Sequence, residues 1–136
     1  MPIIQAIADN PEFRQIRRDL HAHPELGFQE ERTSALVANY LQHWSYEVTR
    51  GVGGTGVVGT LRRGQGARRI GLRADMDALP MQELNTFAHR SQHAGRMHAC
   101  GHDGHTATLL AAAWYLAQSG KFDGTLHCIF QPAEEG

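Results

Sequence analysis

The segment MHACGHDGH, residues 97–105, gathers one thiol (Cys100), three imidazoles (His98, His102 and His105) and one carboxylate (Asp103) into nine positions. Five of the chain's nine histidines, His89, His93, His98, His102 and His105, fall within seventeen residues. Only Gly101 separates Cys100 from His102, so the backbone can fold to bring both side chains to one centre. A thiolate and an imidazole together suit zinc and its neighbours in the transition series. Alone the pair is a weak signal, and a solvated histidine-rich loop is the competing reading.

Two carboxylate pairs add weight. In FQPAEEG, Glu134 and Glu135 lie just past a strand that Pro132 terminates. Adjacent carboxylates in a turn point different ways, so one can bind a metal while the other addresses a water. A hydrolytic metalloenzyme needs that division: a Lewis acid to acidify water and polarise a carbonyl, and a general base to take the proton. In ADMDALP, Asp75 and Asp77 follow the alternating apolar set Ile70, Leu72 and Ala74. If the strand period persists, both carboxylates share a face at the strand's end, where open α/β sheets place their sites. Three weak signals, each beside a predicted strand, converge.

These groups need a scaffold. NPEFRQIRRDLHAHPE opens with Asn10 as a helix cap and Pro11 at the first helical position, puts Phe13, Ile16 and Leu20 on one face, and stops at Pro24. A second amphipathic helix is predicted from about Glu30 to Trp44, with Leu36, Val37, Tyr40, Leu41 and Trp44 as its stripe. Strands are predicted at 57–63, 68–75 and 125–130, with 46–50 a fourth, and the GQG turn between the first two reads as a hairpin. A helix over roughly His105–Gln118, apolar nearly all round and ended by Gly120, reads as buried. Its N-terminus beside Cys100 would favour the thiolate. Helices and strands in this order point to an α/β fold, a layered sheet with packed helices. GGTGVVG has Gly54, Gly56 and Gly59 in GxGxxG spacing, but a strand rather than a helix follows, so a dinucleotide-binding turn is rejected.

Composition narrows the classes further. At 136 residues, 41% apolar and 20% charged, the chain is one globular domain with a core. A net charge of −1 argues against nucleic acid or a membrane surface as partner. Arg62, Arg63, Arg68 and Arg69 read as a solvated hairpin around Gly64 and Gly66. Cys100 and Cys128 make no disulfide framework, Cys128 reads as a small buried hydrophobe, and MPIIQAIADN lacks the features of a signal peptide. The expectation is a reduced, cytoplasmic protein. His21 and His23 read as a helix end, and His43, His89, His93 and His127 as surface or packing residues.

LHAHPELGFQEERTSALV, GGTGVVGTL, LRADMDALPMQE, GRMHACGHDGHTATLL and FQPAEEG, in that order, resemble the zinc-peptidase-like amidohydrolases, nearest the hippurate hydrolase, N-acyl-amino-acid amidohydrolase and indole-acetyl-amino-acid hydrolase branch. The resemblance implies a zinc-peptidase-like (phosphorylase/hydrolase-like) catalytic domain with two divalent metal ions (zinc, manganese, cobalt or nickel) that hydrolyses the amide of an N-acyl amino acid. It implies Cys100 and His102 as metal ligands, with the Cys100 thiolate a candidate bridge, Glu134 as general base, and Glu135 as a ligand. Asp77 matches a carboxylate that orients the site. Asp75 stands where the wider family has a ligand histidine and is not counted as a ligand; it remains a candidate site residue, with Asp103 and His105.

Residues 1–136 are then expected to be the N-terminal portion of such a domain, about a third of the family's length. The resemblance implies that two further histidine ligands and an inserted dimerisation domain would lie in the part beyond it. The chain alone is expected to hydrolyse poorly and to associate through exposed apolar surface, while the complete protein would be a homo-oligomer. Two rival readings stand beside this one. Cys100 could serve as a nucleophile with a histidine base, or the chain could be a non-catalytic metal-binding or partner-binding remnant.

Overall fold

The computed structural model describes residues 2–136; Met1 lies outside them. The order is α1 (Pro2–Ala8), α2 (Pro11–Ala22), α3 (Glu31–His43), β1 (Glu47–Val52), β2 (Gly56–Arg63), β3 (Arg69–Asp75), α4 (His102–Ser119) and β4 (Gly124–Gln131). α1 was not foreseen. α2 begins as the sequence predicts: the Asn10 side chain accepts a hydrogen bond from the Glu12 N–H at 3.0 Å, and Pro11 follows. That satisfies one of the four donors a helix start leaves unpaired.

The four strands form one sheet in the order β1-β2-β4-β3. β1 with β2 and β2 with β4 are antiparallel, and β3 runs parallel to β4. The expected hairpin of β2 with β3 is therefore corrected: β4 lies between them. Asp123 accounts for the separation, since its carboxylate accepts hydrogen bonds from the Gln65 and Gly66 N–H groups at 2.8 and 2.6 Å. The turn is tied to the approach of β4 rather than closed on itself.

Register then builds the core. Val57, Gly59 and Leu61 lie opposite Phe130, Cys128 and Leu126, which lie opposite Ala74, Leu72 and Ile70. This face meets α3 over β1 and β2, and α4 over β3 and β4, with α2 packed on α4. Phe13, Ile16, Leu20, Val37, Leu41, Leu110 and Phe130 are buried between the layers. Ile70 shares the inward register yet is 59% exposed, because it sits where the edge strand β3 begins. Cys128 is buried, as expected.

Between β3 and α4 run twenty-six residues of irregular chain, 76–101. The Met76 N–H donates to the Gln131 carbonyl, the Ala78 N–H to the Glu25 carbonyl, and Leu79 and Met97 exchange both backbone bonds. These ties return residues 97–101 to the end of β3, beside the end of β4.

Candidate metal centre

α4 starts at His102, three residues earlier than the sequence suggested. Gly101 makes this turn, with φ +94 in the left-handed region that favours glycine. His102 is consequently fixed in the first turn of a buried helix, and Cys100 is exposed immediately before it.

The His102 ring is 2% exposed, and its two nitrogens face different groups. Nδ1 lies 2.9 Å from the Asp77 carbonyl and 3.1 Å from Asp77 Oδ1. As a donor there, it leaves the lone pair on Nε2. That atom faces Asp75 Oδ1 at 3.6 Å and Glu134 Oε2 and Glu135 Oε1 at 3.7 Å each. These separations exceed hydrogen-bond length. Donor atoms bound to one metal at about 2.0–2.3 Å lie about 3–4 Å apart, so the spacing fits a shared cation.

Cys100, His102 and Glu135 offer ligand atoms all within 4.8 Å of one another, and so do Asp75, His102 and His105. The two sets share His102, whose Nε2 has a single lone pair. In the second set, His105 Nδ1 is already 2.7 Å from Asp75 Oδ1. That pairing and the neighbouring His102 outweigh the upward push of burial and lower the Asp75 pKa. The first set is therefore the better cradle.

Asp77 does two things at once. One oxygen holds His102, and the other accepts the Glu135 N–H at 3.0 Å, so a single buried carboxylate sets both a candidate ligand and the chain beside another. The helix N-terminus does not dominate at Cys100. The hydrogen bond to Glu135, then desolvation, then the charges of Glu135, Glu134 and Asp75 raise the thiol pKa. A concentration of anionic groups of this kind is what a divalent cation neutralises.

Asp103 lies elsewhere. Its carboxylate turns to α2, where Oδ2 meets His21 Nδ1 at 2.9 Å, while His21 Nε2 meets Glu83 Oε1 at 2.9 Å. His21 does stand in the last turn of α2, as the helix-end reading has it, and it also bridges two buried carboxylates. Burial lowers its pKa, but the hydrogen bonds to Glu83 and Asp103 prevail and raise it. Burial likewise pushes Glu83 up, yet bonds from Asn85, His21 and the Ser91 N–H draw it down to about 2. Sequence reasoning missed Glu83, which lies 62 positions from His21, and no local spacing relates them. His98 is buried, and neither ring nitrogen has a partner among the described residues. Burial holds it down to about 4, so it is a neutral packing residue rather than part of a solvated loop.

The α/β layer places a Cys-His-Glu donor set that could hold a metal ion near the ends of the parallel strands β3 and β4. Residues 71–136 match the sequence model of peptidase family M20/M25/M40. The chain is 53% identical to the hippurate hydrolase of Campylobacter jejuni over 137 aligned positions, covering all of this chain and 36% of that protein. It is 48% identical to an Arabidopsis thaliana IAA-amino acid hydrolase (ILR1-like 5), over 89% of this chain and 28% of that one. The solved Bacillus subtilis YXEP protein, described as a dinuclear metal binding peptidase of the M20 family, superposes with a TM-score of 0.85. It is 42% identical over 91% of this chain and 35% of that chain. The chain is thus similar in sequence and in fold to members of peptidase family M20/M25/M40. It spans about a third of the length of the relatives it matches.

Proposed function

We propose that the chain supplies one wall of the active site of a metal-dependent amidohydrolase acting on N-acyl amino acids of the hippurate kind. In this reading residues 1–136 are the N-terminal portion of its catalytic domain. The observation that carries it is the His102 ring, held through Nδ1 by Asp77 while Nε2 faces Glu134 and Glu135. Cys100, His102 and Glu135 would hold metal, and the dinuclear description of the Bacillus relative supports two ions. Zinc, manganese, cobalt or nickel would suit a thiolate, an imidazole and a carboxylate. Such ions, when bound, acidify a water and polarise the amide carbonyl.

The chain's own residues do the rest. Glu134 takes the proton of the attacking water and delivers it to the leaving amine nitrogen. Asp77 fixes the His102 ring and the Glu135 backbone, keeping the ligands in register while charge develops. A nucleophilic role for Cys100 is disfavoured because it would leave the paired Glu134 and Glu135 without a task. The thiol must stay reduced to act as a ligand, so we assign the protein to the cytoplasm. Among the described residues no helix is long and apolar enough to cross a membrane.

A chimera tests the reading. These 136 residues would replace the corresponding third of the Campylobacter hippurate hydrolase, and glycine release from benzoylglycine would be measured. The chimera should turn over with added metal, and Glu134→Gln should abolish turnover with metal content unchanged. A folded, metal-loaded chimera without activity, or full activity in the Gln variant, contradicts the assignment.

A further inference from the structure

Two sequence motifs, PELGFQEE and GGTGVVG, supply nothing to the metal cradle, yet both end at the turn that carries Glu134. Glu30 is fully buried at the start of α3. Its Oε1 accepts a hydrogen bond from the Ala133 N–H at 2.8 Å, 103 positions away in sequence. Its Oε2 accepts the Thr55 hydroxyl at 2.5 Å, from the turn between β1 and β2. Ala133 has φ +48, a left-handed conformation unusual for a residue with a side chain. A Cβ added at Gly27 would lie 3.0 Å from the Ala133 Cβ, and one added at Gly56 would lie 3.1 Å from Pro132 Cδ. The turn therefore packs closely against Gly27 and Gly56, although at Gly56 the nearer obstacle to a Cβ is the Val52 carbonyl oxygen.

We infer that Glu30, braced by Thr55, is a positioning residue for Glu134 and Glu135, an inference that rests on their proposed roles as base and ligand. Buried carboxylates hold the backbone on both sides of Glu134: Glu30 at the Ala133 N–H and Asp77 at the Glu135 N–H. With those two amides fixed, the direction of the intervening side chain is set by the backbone. Without Glu30, the strained Ala133 conformation has no buried acceptor to retain it.

The test uses the purified chain and two readouts, hydrogen exchange of the Ala133 amide and Co2+ affinity followed by the thiolate-to-cobalt absorption. In Glu30→Ala, Ala133 exchange should rise roughly ten- to a hundredfold, and Co2+ affinity should fall roughly ten- to a hundredfold. Glu30→Gln should stay close to wild type, since its amide oxygen can accept from Ala133 while its NH2 donates to Thr55. Val37→Ala, a core change of α3, should lower Tm and leave both readouts alone. If Glu30→Ala does not fold, Thr55→Val gives the same direction with smaller size. Unchanged exchange and affinity in Glu30→Ala, or equal changes in Val37→Ala, overturn the inference. Absence of Co2+ uptake by wild type refutes the metal reading instead, and the Ala133 exchange still decides whether Glu30 holds the turn.

Discussion

His21 shows how one side chain can join distant parts of a site through charge. It links Asp103 in α4 with Glu83 in the chain before it, and Arg17 lies 3.6 Å from the same Asp103 oxygen as His21. An imidazole that donates from both nitrogens must be protonated, which fits its raised pKa. The consequence for stability follows by linkage. A raised histidine contributes fully below its ordinary value of 6.5 and loses that contribution as pH climbs through the raised value. Glu83, drawn down to about 2, contributes above 4.5 and loses it as pH falls toward 2. The Tm difference between wild type and His21→Gln should therefore be widest between pH 4.5 and 6.5 and narrow on both sides. A difference that does not vary with pH contradicts the clamp. Cys100, His102, Glu134 and Glu135 were legible as candidates from residue type and spacing, because metal and proton chemistry restrict the choice, and the structure brings them together. Glu30, Glu83 and the second role of Asp77 were not legible. Their meaning lies in hydrogen bonds spanning 58 to 103 positions.

Elements were read well where local chemistry decides and poorly where tertiary pairing decides. The Asn10-Pro11 start of α2 and the stripe of α3 are local, and both stand where the sequence puts them. The β2–β3 hairpin failed because Asp123, nearly sixty positions on, holds the turn for an inserted β4. α4 was begun too late because Gly104 and the polar HDGH run look like a loop, whereas the Gly104 and His105 N–H groups already bond to the Gly101 carbonyl. The left-handed Gly101 lets this early start coexist with an outward Cys100. No atom would obstruct a Cβ there, so Gly101→Ala should cost only backbone strain, about 1–2 kcal/mol. Thermal denaturation measures this, and it should come with weaker metal binding as Cys100 and His102 part. An alanine variant as stable as wild type contradicts the conformational role.

The whole molecule is a set of supports converging on the ends of the parallel strands β3 and β4. β3 delivers Asp75 and Asp77, β4 delivers Glu134 and Glu135, α4 delivers His102, and the loops around Glu25, Glu30 and Thr55 fix the ends of both strands. In the proposed function this convergence binds metal through Cys100, His102 and Glu135. The most direct measurement is metal content per chain, by elemental analysis after gentle dialysis, in wild type and Cys100→Ala. Retained divalent metal in wild type, lost in the Ala variant, is the predicted result. A wild-type chain that holds no metal, or an Ala variant that holds as much, contradicts the account.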